Sequence, residues 1–250
     1  MNPKIFFPPI ITVIILALPF WWYNRTTDLS YIMLAILLIN LAAAFWLIRS
    51  RRDWWSFAIL PILLMASAFA YALIISISWL SLLVIFFATI IAIAYWRLVF
   101  LYVLKNTLYR PFSLERLSYF VSFFIIFFTA AAAYGLKVFL DLPNWQVFGL
   151  VFLFLIATIY QWFWVRKLTW KLTWYYLLAF IVAMAEVFLV LGFLPFDFTI
   201  IGFLFASLWH GLSFLVAEHL AGQLTAKRSR FIISLIIILW LAVLLTARWF

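Results

Sequence analysis

The chain has no cysteine and contains little glycine, histidine or charge. Its 250 residues include 6 Gly, 2 His and only 10% charged residues. Without a thiolate, the protein cannot use a cysteine nucleophile, bind an iron–sulfur cluster through cysteine or hold zinc through cysteine. A soluble domain carries roughly a quarter charged residues, so the low charge content excludes an ordinary water-soluble fold.

Apolar residues, many of them aromatic, make up most of the chain. The sequence is 70% apolar and 22% aromatic, with 30 Phe and 15 Trp. One soluble core could not bury that much apolar surface, because a folded soluble protein needs polar residues on its solvent-exposed surface. We therefore predict an all-α, polytopic transmembrane helix bundle that forms a single domain over residues 1–250, with no soluble domain.

Apolar runs of about 20 residues, bounded by charges, prolines or turn residues, predict about nine membrane spans. The predicted spans cover residues 5–22, 29–48, 54–75, 80–96, 118–139, 146–164, 172–194, 198–223 and 230–249. Ser76, Ser78 and Trp79 provide a turn between the third and fourth spans. Pro195 and Asp197 separate the seventh and eighth, since proline stops a helix and aspartate caps the next one.

The distribution of basic residues predicts the orientation of these spans. Lys and Arg collect in cytoplasmic loops. With the N-terminus in the cytoplasm, fourteen of the 17 Lys and Arg residues lie on the inner side, and only Arg25, Lys137 and Arg248 lie outside. The sequence thus predicts a cytoplasmic N-terminus and an external C-terminus, in a prokaryotic cytoplasmic membrane.

Ionisable residues within the predicted spans are the candidate functional groups, because such groups are costly in lipid and normally face a bundle interior. Glu186 lies in the seventh span and His210 in the middle of the eighth. A tight hairpin joins these two spans, so we predict that Glu186 and His210 are in contact. Glu218 and His219, nearer the inner end of the eighth span, are secondary candidates.

Small residues lie on the same helix faces as Glu186, His210 and Glu218. Close helix approach in lipid favours Gly, Ala and Ser at the contact. The stripes are Ala179, Ala183 and Glu186; Gly202, Ala206 and His210; and Ser207, Gly211, Glu218 and Gly222. We therefore expect the ionisable groups on these stripes to face protein rather than lipid.

Three roles are open for Glu186 and His210: a hydrogen-bonded pair that locks two helices, a proton or cation relay, and a metal or catalytic site. A zinc hydrolase needs His and carboxylate ligands with a glutamate base. The chain has no His-Glu-x-x-His motif, and its two histidines lie on opposite sides of one helix. We predict no metal site and no cofactor.

An enzymatic role would need other polar side chains to converge on Glu186 and His210. The available side chains are Asn40, Thr129, Thr158 and Gln161. Two tryptophans, Trp209 and Trp240, fall at mid-membrane, where each is either a packing ring or a cavity wall.

The tetrapeptide Lys-Leu-Thr-Trp occurs twice in succession, at residues 167–170 and 171–174. In a helix this spacing stacks Lys167 on Lys171 and Trp170 on Trp174. Such an amphipathic arrangement suits anionic headgroups. We interpret the repeat as a lipid-interface anchor.

The sequence favours a non-enzymatic function: a transport-associated or scaffold subunit that interacts with lipid. The alternative is a metal-dependent intramembrane hydrolase or a proton-coupled transporter that uses Glu186 and His210. The predicted partners are membrane lipids, including anionic lipids, and a membrane protein. Nucleic acid is not among them, because the basic residues are scattered over separate loops and no nucleic-acid-binding module is recognisable.

Overall fold

The computed structural model describes residues 55–247, except 76, 105, 166–169 and 221, together with Leu38, Asn40, Ala42 and Phe45. The predicted spans 5–22 and 29–48 lie outside this part of the chain, apart from those four residues, which are helical. None of the described residues belongs to a β-strand.

Seven α-helices run through the described residues, and we number them in chain order. They are α1 (Ser56–Ile74), α2 (Ser78–Leu104), α3 (Ser113–Leu140), α4 (Asn144–Val165), α5 (Trp170–Leu191), α6 (Phe198–Leu220) and α7 (Ala226–Thr246). A short 3₁₀ helix, Asn106–Leu108, lies between α2 and α3. All seven α-helices are long and apolar enough to span a membrane. They correspond to the predicted third to ninth spans, while the total of about nine spans and the orientation of the termini stay predictions.

Local sequence signals explain where several helices begin and end. The Asp197 carboxylate accepts a hydrogen bond from the Thr199 N–H at 2.8 Å, which confirms the predicted cap of α6. The Thr225 hydroxyl caps α7 by accepting from the Arg228 N–H at 3.3 Å. Between these helices, Gly222 has a φ of 66°, a left-handed conformation that glycine adopts without steric penalty.

The third helix begins at Ser113, five residues earlier than the predicted span. The Tyr109 hydroxyl accepts from the Leu114 N–H at 3.0 Å and donates to the Glu115 carboxylate at 3.1 Å. Burial raises the pKa of the Tyr109 phenol, so the phenol stays protonated and keeps its proton for Glu115. This pair of bonds satisfies a free backbone donor in the first turn, which lets the helix extend beyond its apolar run.

The chain divides into two compact units. The first consists of Met1–Val121 with Tyr160–Lys167, and the second of Ser122–Ile159 with Leu168–Phe250. The division falls within α3 and α4, so each of these helices contributes residues to both units. The expectation of a single domain over the whole chain stays a prediction.

In the first unit, aromatic rings join α1 to its neighbours. Phe57 of α1 meets Trp164 of α4 edge-on, with the ring centroids 4.6 Å apart, and packs against Tyr102 of α2 at 6.2 Å. Trp55, immediately before α1, stacks on Tyr160 of α4 at 5.7 Å. The start of α1 therefore lies against the last turns of α4.

In the second unit, small residues allow α3 and α6 to approach closely. A Cβ atom added to Gly202 of α6 would come within 2.8 Å of the backbone of Ala131 in α3. On the neighbouring surface of α3, the Tyr134 hydroxyl donates to the Phe188 carbonyl of α5 at 2.6 Å, and the two rings stack at 4.5 Å. The helix α3 thus contacts both α5 and α6.

Candidate functional site

The buried face of α5 consists of large apolar side chains and does not include Glu186. The buried residues of this face follow helical spacing and are Leu177, Phe180, Met184, Phe188 and Leu191. Glu186 lies two positions after Met184, on the opposite side of the helix, and it is exposed. This differs from the expectation that the stripe of Ala179 and Ala183 would turn Glu186 towards protein. The large side chains fill the contact instead.

His210 lies on the side of α6 that faces α3. Its ring is half-buried and meets the Phe123 ring of α3 edge-on, with the centroids 5.6 Å apart. Gly202, on the same stripe, touches α3 at Ala131. The stripe of Gly202, Ala206 and His210 therefore faces protein as expected, but the neighbour that these contacts identify is α3.

The ring contacts of His210 are with Phe123 of α3 and with Trp209 of its own helix, and they do not test the predicted contact with Glu186. The pairing stays a prediction.

The four polar side chains that an enzymatic role would bring to Glu186 and His210 are divided between the two units. Asn40 and Gln161 belong to the first unit, and Thr129 and Thr158 belong to the second with Glu186 and His210. The Thr158 hydroxyl is used within its own helix, where it donates to the Phe154 carbonyl at 2.6 Å. The proposed convergence of these side chains stays untested.

Glu218 forms an ion pair that connects α6 to α7. The Arg228 guanidinium donates to the buried Glu218 carboxylate. The same guanidinium lies over the Phe214 ring, 5.7 Å from its centroid. Half of the Arg228 side chain remains exposed, so the pair lies at the border between the protein interior and its polar surroundings.

His219, the other secondary candidate, connects α6 to α5. Its Nε2 atom lies 3.1 Å from the Tyr176 hydroxyl, and the two rings are 5.7 Å apart. His219 is exposed. This contact fastens the end of the α5–α6 hairpin that is remote from the turn at residues 192–197.

The stripe of Ser207, Gly211 and Glu218 forms the contact between α6 and α7. The Ser207 hydroxyl accepts a hydrogen bond from the Trp240 indole N–H at 2.9 Å. A Cβ atom at Gly211 would collide with the Ile236 side chain. Together with the Glu218 ion pair, these contacts hold α7 against one face of α6. Trp240 is therefore a packing and hydrogen-bonding ring, one of the two roles left open for it.

The lipid-interface anchor is described only in part. Lys167 lies outside the described residues, and so do the side chains of Trp170 and Lys171, whose backbones begin α5. Trp174 is exposed in α5, as an interface ring would be. The anchoring role stays a prediction.

Two of the polar side chains named from the sequence, Asn40 and Gln161, lie in the first unit with two aromatic residues that the sequence did not point to, Trp96 and Tyr95. The Trp96 indole N–H donates to the Asn40 side-chain oxygen at 3.2 Å, and both residues are buried. The neighbouring Tyr95 hydroxyl and the Gln161 side-chain amide are also buried, without a hydrogen-bond partner. Gln161 is recognisable as a rare amide in an apolar helix. Tyr95 carries no such signal, because it is one of 11 tyrosines in an aromatic-rich chain.

Neither a metal cluster nor a relative assigns chemistry to these groups. Among the described residues, no three His, Cys, Asp or Glu side chains lie together in a way that could hold a metal ion. No protein-family model, curated protein or solved structure matches the chain. The fold places the chain in the class of α-helical proteins whose helices are apolar enough for several membrane crossings.

Proposed function

We propose that the chain is a lipid-contacting, multi-pass membrane subunit with a scaffold or transport-associated role, located in a prokaryotic cytoplasmic membrane. The observation that carries this proposal is the exposure of α7. This helix has 21 residues, and none of them is buried. An apolar helix of that length needs an apolar environment over most of its surface.

The composition of the exposed surface of α7 favours lipid tails over another protein. Its exposed large residues are Phe231, Ile233, Leu235, Ile237, Ile238, Leu241 and Leu245. Helix contacts within membranes are enriched in small residues that let backbones approach closely, whereas bulky aliphatic side chains suit fluid acyl chains. We therefore assign acyl chains to the outer surface of α7.

The start of α7 adds a positive charge to this surface. Lys227 and Arg230 are exposed, and Arg228 is already bound to Glu218. Basic groups beside an anionic leaflet contribute about 1 kcal/mol each. The charge and the apolar surface together favour an anionic phospholipid, with its headgroup beside Lys227 and Arg230 and its tails along α7.

Two further observations favour this role over the hydrolase and the proton-coupled transporter. Glu218 is engaged by Arg228, so one buried carboxylate has a structural use. Glu186 is exposed on α5, whereas the His210 ring packs against Phe123 of α3. A relay would need its members within hydrogen-bond reach of one another.

The experiment is lipid retention by the purified protein. Lys227→Gln combined with Arg230→Gln should reduce retained phosphatidylglycerol in native mass spectrometry by roughly fivefold per charge. The combined change Lys167→Gln and Lys171→Gln tests the predicted anchor in the same way. The matched control is Lys137→Gln, because Lys137 lies near the end of α3 and is not part of either basic group. Phosphatidylcholine retention should not change in any variant, and equal phosphatidylglycerol retention in all variants would refute the proposal.

A further inference from the structure

The side chains of Tyr95 and Gln161 present three buried polar atoms without partners. Tyr95 is 1% exposed and Gln161 is 0% exposed. Among the described residues, the Tyr95 hydroxyl oxygen and both amide atoms of Gln161 have no hydrogen-bond partner of normal geometry. The amide is close enough to influence the Tyr95 phenol, but the two groups do not meet the geometry of a hydrogen bond.

Such an arrangement is costly unless another molecule completes it. Buried amides and hydroxyls are almost always hydrogen-bonded, and an unsatisfied group carries its full desolvation penalty. The Trp96 ring lies 6.1 Å from the Tyr95 ring, and the Tyr95 and Gln161 side chains are almost fully buried. Burial makes the penalty larger, because a low local dielectric strengthens the need for a partner.

The chemistry of the three atoms defines the partner. The Gln161 amide nitrogen and the Tyr95 hydroxyl can each donate, and the Gln161 carbonyl oxygen accepts. A single hydroxyl group can accept two hydrogen bonds and donate one, so it would satisfy all three atoms at once. Both side chains are uncharged, and a buried ion would need a compensating charge. The complementary ligand is therefore neutral.

We propose that Tyr95 and Gln161 form a buried binding site for one neutral hydroxyl group, supplied either by a water molecule or by an uncharged alcohol. In this site the ligand hydroxyl donates to the Gln161 carbonyl oxygen and accepts from the Gln161 amide and the Tyr95 phenol.

The sign of the stability change tests whether the site is occupied. Gln161→Met removes both amide atoms at nearly constant size, and Tyr95→Phe removes only the hydroxyl. With a bound hydroxyl, each change should lower the melting temperature in detergent by roughly 2–8 °C. The double variant should lose less than the sum, because the two residues share one ligand. Without a ligand, removal of unsatisfied polar atoms should leave the melting temperature unchanged or raise it, which would overturn the proposal.

A direct measurement identifies the source of the hydroxyl and remains informative if Gln161→Met does not fold. Water-edited solid-state NMR of protein with ¹⁵N-labelled glutamine side chains should detect transfer from water to Gln161, and Tyr95→Phe should weaken that transfer. The control variant is Thr158→Val, whose hydroxyl bonds to its own helix at Phe154 and should leave the transfer intact. Loss of water transfer together with a neutral alcohol retained in native mass spectrometry would assign the site to that alcohol. Absence of both would refute the site.

Discussion

Glu218 illustrates how a carboxylate can persist at the edge of an apolar bundle. Its carboxylate is buried at the end of α6 and receives the Arg228 guanidinium. Arg228 also covers the Phe214 ring, so part of its charge is stabilised by an aromatic face. Because half of the Arg228 side chain is exposed, solvent and headgroups screen the pair. Screening weakens the attraction between the two charges, while the partial exposure lowers the cost of removing them from water.

Replacement of Glu218 by glutamine should destabilise the protein by about 1 kcal/mol, since Arg228 loses its counter-charge while the amide keeps the shape of the carboxylate. In a protein of this size, this loss corresponds to a melting temperature roughly 2–4 °C lower. Thermal unfolding in detergent measures it. Lys137→Gln is the control, because Lys137 lies near the end of α3 and takes no part in this ion pair. Equal melting temperatures for Glu218→Gln and the parent would contradict a stabilising role.

Two glycines of α6 lie at contacts with neighbouring helices. They differ in the atoms that an added side chain would strike. At Gly202 the obstacle to a side chain is the backbone of Ala131, at 2.7–2.8 Å. At Gly211 the obstacle is the far end of the flexible Ile236 side chain. A backbone cannot move without shifting a whole helix, whereas the end of an isoleucine can rotate.

Gly202→Ala should therefore destabilise the protein by about 1–3 kcal/mol, the range for overpacking, and Gly211→Ala should cost less. Combination with Ala131→Gly should recover only part of the loss, because the Ala131 nitrogen and Cα would still be in the way. Gly149→Ala serves as the control: a Cβ there meets nothing within 4 Å, and alanine favours the helix. Melting temperatures that fall equally for Gly202→Ala and Gly149→Ala would show that helix contact is not the cause.

The molecule as a whole presents far more apolar surface than a soluble protein could carry. Exposed large apolar residues occur along α2, α5 and α7, and all seven described helices are long enough to cross a bilayer. Seven crossings by these helices would place residues 55 and 247 on opposite sides of the membrane. Two further crossings before residue 55, as predicted, would return the chain to its starting side and leave the predicted orientation of α1 to α7 unchanged.

Single-cysteine labelling of intact cells tests this topology, and the absence of native cysteine removes any background. Cysteines at Asn144 and Thr27 should react with an impermeant thiol reagent, whereas those at Ser50, Ser113 and Ser229 should not. The Thr27 site reports specifically on the first two predicted spans. Labelling of Ser229 but not Asn144 would mean that the orientation is reversed.

The amino-acid pattern was sufficient to predict the class of fold, because only lipid can solvate a chain that is 70% apolar. It also placed the helix boundary at Asp197, where a carboxylate two residues after a proline accepts from a free backbone donor. Likewise, the stripe of Ser207, Gly211 and Glu218 predicted a contact face on α6, since small residues let helices approach closely.

The direction in which each helix faces could not be predicted in the same way. In water, polar residues mark the outer face of a helix, but in lipid both faces are apolar and that periodicity disappears. The burial of Phe188 and the exposure of Glu186 on α5 follow from the packing of large side chains against Tyr134, residues far apart in the chain. The meeting of Tyr95 and Gln161 arises similarly, because it depends on how α2 and α4 pack rather than on any local signal in either helix.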